Sequence, residues 1–164
     1  FEGGLYRPDL EVSRDQMAVF VSRALAGGEA YVPSGPAVAD FDDVPTDHWA
    51  YKYVEYAYAN NVVAGYAPRI YGPAIPVDRG QMAVFIARSL VLPSGDAGVP
   101  DPVGDPTFPD VTSTNSWAWC YKHVEFIADR GITRGYEDRK YHPEYICSRD
   151  QMAVYVQRAF GLPT

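Results

Sequence analysis

The sequence predicts an all-α protein, built as tandem helix–loop–helix repeats packed around a shared helical bundle, with short extended loop segments. Three observations predict it. A ten-residue phrase occurs three times: Arg14-Asp15-Gln16-Met17-Ala18-Val19-Phe20-Val21-Ser22-Arg23, then Arg79-Gly80-Gln81-Met82-Ala83-Val84-Phe85-Ile86-Ala87-Arg88, then Arg149-Asp150-Gln151-Met152-Ala153-Val154-Tyr155-Val156-Gln157-Arg158. The leading arginines stand 65 and 70 residues apart. Apolar residues follow each helix-start signal at helical spacing. Two Pro/Gly-rich stretches between the copies have neither helix nor strand period. A repeat of this length is one small unit that cannot bury its apolar face alone, so the units must stack.

The units divide the chain as follows. Residues 1–26 are the second half of a first repeat, 40–92 a second repeat and 107–164 a third, with linkers at 27–39 and 93–106. Upstream of each phrase stand Tyr6-Arg7-Pro8, Tyr71-Gly72-Pro73 and Tyr141-His142-Pro143. Before those come Gly65-Tyr66 and Gly135-Tyr136, with Phe1 in the slot of the two tyrosines. A first helix is expected from about His48 to Asn60 and from Trp117 to Arg130, with Trp49, Tyr53, Tyr56 and Ala57 on one stripe. Asn61 and Gly131 suit the left-handed backbone of a C-terminal cap. The second helix opens at Ser13, Asp78 and Ser148, each followed three residues later by glutamine, which reads as a capping box in all three copies. Met82, Phe85, Ile86 and Leu90 then form its buried face, and Met17, Met82 and Met152 hold matching core positions.

Cys120 takes the slot of Ala50, and Cys147 takes the slot of Val12 and Val77. Two cysteines in apolar slots are expected to touch, and a disulfide there would clip the first helix to the second, worth roughly 3–4 kcal/mol in the chain-entropy picture. Such a bridge would imply an oxidising compartment. Two buried free thiols are the alternative.

Composition excludes several functions. The net charge of −7 argues against nonspecific nucleic-acid binding and against an anionic membrane surface. No apolar run is long enough for membrane insertion. No signal peptide stands at Phe1, so the chain reads as a mature or trimmed piece. His48, His123 and His142 show no ligand spacing, and the acidic cluster Asp40, Asp42, Asp43 and Asp47 lacks an EF-hand pattern, so no metal is assigned. No nucleophile–base pair, acid/base carboxylate pair or phosphate loop appears. The sequence therefore points to a protein that is not an enzyme and uses no cofactor.

Phe41-Asp42-Asp43-Val44-Pro45, His48-Trp49-Ala50, Gly65-Tyr66, Tyr71-Gly72-Pro73 and Val77-Asp78-Arg79 together resemble the S-layer homology (SLH) repeat. The resemblance covers most of the chain. It implies a bacterial cell-surface, extracellular location and a three-pronged, pseudo-threefold bundle. It also implies grooves between the prongs that grip a secondary cell-wall polysaccharide, often through an acidic, pyruvylated terminal sugar. The family's Thr-Arg-Ala-Glu motif keeps its arginine here three times, with glutamine in place of glutamate each time.

The expected glycan-binding residues are Arg14, Arg79, Arg149, Trp49, Trp119, Tyr51 and Tyr121. A cation at the first helical position opposes the helix dipole, so each arginine needs a compensating contact. That contact is either a ligand carboxylate or hydroxyl, or a salt bridge to Asp43 or Asp110. The tryptophans fit either the helix core or a sugar platform. Tyr51, Tyr58 and Tyr121 read as exposed aromatics. A second expectation comes from the half repeat. Met17, Phe20, Val21 and Leu25 lack a first helix of their own unit, so an upstream segment or a neighbouring copy would have to cover them. The latter case makes the chain a self-assembling filament or lattice subunit.

Overall fold

A computed structural model describes residues 5–162, so the Phe1 slot lies outside the described residues. Five α-helices occur in this range: α1 (Arg14–Ala26), α2 (Tyr51–Ala59), α3 (Arg79–Ser89), α4 (Ala118–Asp129) and α5 (Arg149–Phe160). Among the described residues there is no strand, only isolated antiparallel bridges, three beside the starts of the second helices and one, Ala67 with Ile70, in the loop between α2 and α3. Asn61 and Gly131 are left-handed, with φ of 58° and 67°, and end α2 and α4 as their residue types predict. α2 and α4 begin later than the apolar stripe suggested, and Trp49 sits in the turn before α2.

The three repeats close into a ring. Around its axis the amide of Val12 donates to Cys147 O at 2.9 Å, that of Val77 to Val12 O at 2.8 Å, and that of Cys147 to Val77 O at 2.9 Å. The next two amides of each second helix donate to a loop of the following unit. Arg14 N reaches Ile75 O and Asp15 N reaches Pro73 O, both at 3.0 Å. Arg79 N and Gly80 N reach Tyr145 O and Pro143 O, and Arg149 N and Asp150 N reach Leu10 O and Pro8 O. The orphan donors of a helix start are thus satisfied by a neighbour's carbonyls.

That arrangement corrects the capping boxes. Only Asp78 accepts from the amide three residues on, Gln81 N, at 2.7 Å. Ser13 and Ser148 instead donate to the carboxylates of Asp15 and Asp150. The glutamine Oε1 of Gln16, Gln81 and Gln151 makes no return bond within the protein.

Helices pair across the unit boundary: α1 packs on α2, and α3 on α4. The half repeat is therefore covered by its own chain. Met17 and Val21 are fully buried, Phe20 and Leu25 are half-buried against the core, and Ser22 Oγ donates to Tyr53 O at 2.8 Å. This overturns the expectation that these four residues form an assembly interface. Residues 27–50 connect α1 to α2 and residues 90–117 connect α3 to α4, and each later helix packs back on the earlier one.

The linkers are straps, each carrying a 3₁₀ turn, Glu29–Tyr31 and Gly95–Gly98. Glu29 accepts from Arg23 of α1 and from Lys52 and Tyr53 of α2. Those hydrogen bonds, the one from Lys52 foremost, hold its carboxyl down at about 2. Asp96 does the same between α3 and α4, accepting from Arg88 and His123. Beyond each strap a buried glutamate holds the incoming chain: Glu125 accepts from Thr107 N and Thr107 Oγ1, and Glu55 from Asp40 N at 3.0 Å.

The expected disulfide is absent. Cys120 and Cys147 are both buried free thiols. Cys147 lies on the ring axis beside Val12 and Val77, whereas Cys120 fills the Ala50 slot on α4 and donates to Trp117 O at 3.2 Å. Burial pushes both thiols up to about 12, so they stay protonated and inert.

Glu55 supplies a test. Burial raises its carboxyl from the ordinary 4.5 to about 7. A folded-state value above the unfolded one gives stability that is complete below pH ~4.5 and lost as pH rises through ~7. Glu55→Gln is expected to stabilise the chain by about 1–2 kcal/mol at pH 8 and by little at pH 4. Thermal melts across that range read the difference, and equal shifts at both pH values would contradict the account.

Candidate functional site

Each leading arginine lies at a seam between two units and is fixed there on two sides. Arg14 Nε donates to Tyr71 O at 2.9 Å and Nη2 to Ala64 O at 2.7 Å. Its guanidinium lies over the rings of Tyr71, at 4.5 Å, and Tyr66, at 4.9 Å. Tyr71 answers by donating its hydroxyl to Arg14 O at 2.9 Å. Arg79 repeats this with Tyr141, Nε to Tyr141 O at 2.8 Å and Tyr141 Oη to Arg79 O at 2.9 Å, and lies over Tyr136 at 4.8 Å. Arg149 repeats it with Tyr6, each bond at 2.9 Å. Carbonyl dipoles and π faces thus stabilise a cation at the positive end of a helix. Burial pushes the Tyr71 and Tyr141 phenols up, so both remain donors.

The salt-bridge alternative for the arginines is not what the described residues form. Asp43 and Asp110 form no salt bridge with them. Asp43 accepts from the amides of Tyr71 and Gly72 at 2.8 and 2.7 Å, and Asp110 from those of Tyr141 and His142 at 2.9 and 2.8 Å. These carboxylates hold the tyrosine loop, and the loop holds the arginine. Gly72 and His142 take left-handed backbone there, with φ of 73° and 54°.

A groove runs along each seam. The first is the largest cavity of the three, about 530 Å³, and brings together Arg14, Tyr66, Gln81 and Trp119. Gln81 Nε2 donates to Tyr66 Oη at 2.7 Å, which ties the ring to α3. Trp119 lies against the first turn of α3 because residue 80 is glycine. A Cβ on Gly80 would sit 3.0 Å from the indole. The second groove, about 320 Å³, contains Arg79, Tyr136, Gln151 and Tyr155. The third, about 440 Å³, contains Arg149, Gln16, Phe20 and Trp49.

The tryptophans belong to the grooves rather than to the core. Trp119 is 48% exposed and Trp49 57%. Tyr51 and Tyr121 do not reach a groove. Tyr51 is buried and donates to Pro36 O at 2.6 Å, which fastens the first strap, and Tyr121 is half-buried against the core. Tyr66 and Tyr136 were missed as groove residues. Their signal was present, since Gly-Tyr recurs in the same slot of both full units.

A family model described as the S-layer homology domain matches residues 40–83 and 107–153, more than half of the chain. The chain is similar to cell surface glycoprotein 1 of Acetivibrio thermocellus, 21% identical over 97% of this chain and 7% of that protein. It is similar to S-layer protein EA1 of Bacillus anthracis, 27% identical over 79% of this chain and 14% of that protein. The cellulosome-anchoring protein of Acetivibrio thermocellus is 22% identical over 97% of this chain and 34% of its own length. The chain thus spans at most about a third of these relatives.

The seam geometry predicts a stability effect independent of any ligand. Tyr71→Phe and Tyr141→Phe each remove a buried donor to the carbonyl of a first helical residue, which keeps its bond within the helix. Each is expected to cost about 1–2 kcal/mol in denaturant unfolding, without a change in m-value. A cost near zero for both would mean that the phenol bonds do not hold the seams.

Proposed function

Because the chain belongs to the S-layer homology family, a family of the bacterial cell surface, we propose that it is a noncatalytic attachment module that takes cell-wall polysaccharide into the grooves between its repeats. The observation that carries this reading is the first groove. There a half-exposed indole, Trp119, faces the Tyr66 hydroxyl and the Gln81 amide over the buried cation of Arg14. A sugar ring presents an apolar face for the indole and hydroxyls for the polar edge.

Arg14, Arg79 and Arg149 act from behind the aromatic surface. Each is buried and gives its Nε proton to a loop carbonyl, so its part in recognition is a positive field at the groove. Trp119 and Trp49 are the platforms. Tyr51 and Tyr121 have structural work elsewhere and leave the ligand set. The names of two relatives, S-layer protein EA1 and cellulosome-anchoring protein, accord with attachment. The polymer-subunit reading loses its original motive, since α2 covers α1.

The test is co-sedimentation with purified wall polysaccharide. Trp119→Ala is expected to weaken retention about tenfold, equivalent to ~1.4 kcal/mol. Tyr31→Ala, in the exposed turn of the first strap, is the control and is expected to bind as the parent does. No retention of the parent chain on any wall preparation would refute the proposal.

A further inference from the structure

The three loops that cap the second helices differ at one slot. Arg7, Gly72 and His142 each follow the seam tyrosine, and all three take left-handed backbone, with φ of 53°, 73° and 54°. The first repeat thus places a permanent cation there, the second no side chain, and the third a group that titrates near neutral pH. The third loop also brackets its residue with carboxylates: Asp138 and Glu144 stand where the second repeat has Pro68 and Ala74. His142 Nε2 lies 2.7 Å from Asp138 Oδ2, and Nδ1 lies 3.1 Å from Glu144 Oε1. The ring stacks on Tyr145, with centroids 4.3 Å apart and planes 9° from parallel, and Tyr136 meets it edge-to-face at 5.4 Å.

We propose that His142 is a proton-operated lock on the seam between the second and third repeats and, through Tyr136, on the wall of the second groove. A neutral imidazole has one N–H donor and one bare lone pair, so only the imidazolium gives a proton to both carboxylates. Its two bonds tie together the limbs of one loop, Asp138 before the seam tyrosine and Glu144 after it. That loop supplies both carbonyls that cap α3: Tyr145 O accepts from Arg79 N at 2.9 Å and Pro143 O from Gly80 N at 3.0 Å. Tyr136, against the same imidazole, lines the second groove under the Arg79 guanidinium. When His142 loses its proton, a lone pair faces one of the two carboxylates, and the loop stays fastened on one limb only.

The other charged groups around the ring are Lys140, which acts on Asp138, Asp110, which accepts the His142 amide at 2.8 Å from the turn before α4, and Arg79 of α3, beyond Tyr136. Asp138 foremost, with Glu144, holds the imidazolium above its ordinary 6.5, and His142 in return holds the Asp138 carboxyl below its usual range. A raised folded-state value gives stability that is complete below pH ~6.5 and lost as pH rises through that value. The lock is therefore closed in mild acid and open in mild alkali. It belongs to one seam alone, since Gly72 leaves the corresponding loop of the second repeat without a titrating side chain. This inference does not depend on the glycan reading.

The test follows amide protection factors and ring resonances by NMR, without ligand, in a Glu55→Gln background so that the Glu55 titration does not contribute. Protection at the Arg79 and Gly80 amides is expected to fall about threefold between about pH 5.5 and 8.5, the scale of a partly exposed ion pair. The Tyr136 ring resonances are expected to shift with the midpoint of the His142 titration. That midpoint is expected above 6.5 and should move down on Asp138→Asn. Two variants borrow the residues of the other repeats. His142→Arg, as at position 7, is expected to keep the acid-state protection at both pH values. His142→Gly, as at position 72, is expected to show the alkaline-state protection at both. A His142 midpoint at or below 6.5, a fall in protection as large in His142→Gly as in the parent, or a Tyr136 ring that ignores the titration would each overturn the inference.

Discussion

The structure depends on one reciprocal contact, made at each of three seams. An arginine at the start of a second helix gives its Nε proton to a tyrosine carbonyl of the following unit, and that tyrosine gives its phenol proton to the arginine's own carbonyl. The two backbone amides beside it reach the same loop. Each bond contributes only about 1 kcal/mol net, but leaving a buried partner unpaired costs ~1–3 kcal/mol. A unit detached from its neighbours would strand several such groups at once. The units therefore fold as a ring, and the ring requires the tyrosine loops to keep their shape. Asp43 and Asp110 provide this for two of them by accepting two consecutive loop amides each.

The same contact fixes how helices pair. A second helix that takes its cap from the next unit lies against that unit, so the next unit's first helix closes over it. The straps make this pairing local in sequence. Glu29 and Asp96 each bind an arginine from the helix behind and polar groups from the helix ahead. A structural unit of this protein thus runs from one second helix through a strap to the next first helix, out of phase with the sequence repeat. The grooves lie where the two phases meet, which is why their walls combine residues from more than one repeat.

That phase shift explains what was legible in the sequence and what was not. The repeat, the five helices, the Asn61 and Gly131 caps and the buried methionines followed from spacing and residue type. The choice of partner helix did not, because packing within a unit and packing between units use the same apolar stripe. The expectation of an uncovered α1 fails for this reason, since α2 packs on it. The helix caps were misread for a local reason. Ser-x-x-Gln has the right composition, but the Asp15 and Asp150 carboxylates accept the Gln16 and Gln151 amides at 2.7 and 2.8 Å, whereas Gly80 has no side chain and leaves Gln81 N to Asp78. The cysteines showed the limit of slot logic: an apolar slot predicts burial, and both thiols are buried, but Cys147 lies on an axis that only the closed ring creates. Trp49 and Trp119 sat on a helical stripe and read equally well as core. What exposes them is their place at the helix start, where the partner helix has only just begun.

Charge gives the arginines a meaning that their hydrogen bonds alone do not. The chain carries −7 overall, yet at the first groove Arg88 is paired with Asp96 while Arg14 is held by carbonyls and rings, with the Asp43 carboxylate acting on it without an ion pair. Replacing the family's glutamate by Gln81 removes the carboxylate that would otherwise stand on the same helix turn. The groove is therefore locally positive inside an acidic protein. Beyond a Debye length of ~8 Å a polyanion meets net repulsion that salt screens, and only at contact does it meet the cation in a setting of low dielectric. On the reading proposed above, an acidic sugar would meet that cation only by entering the groove that Trp119 lines.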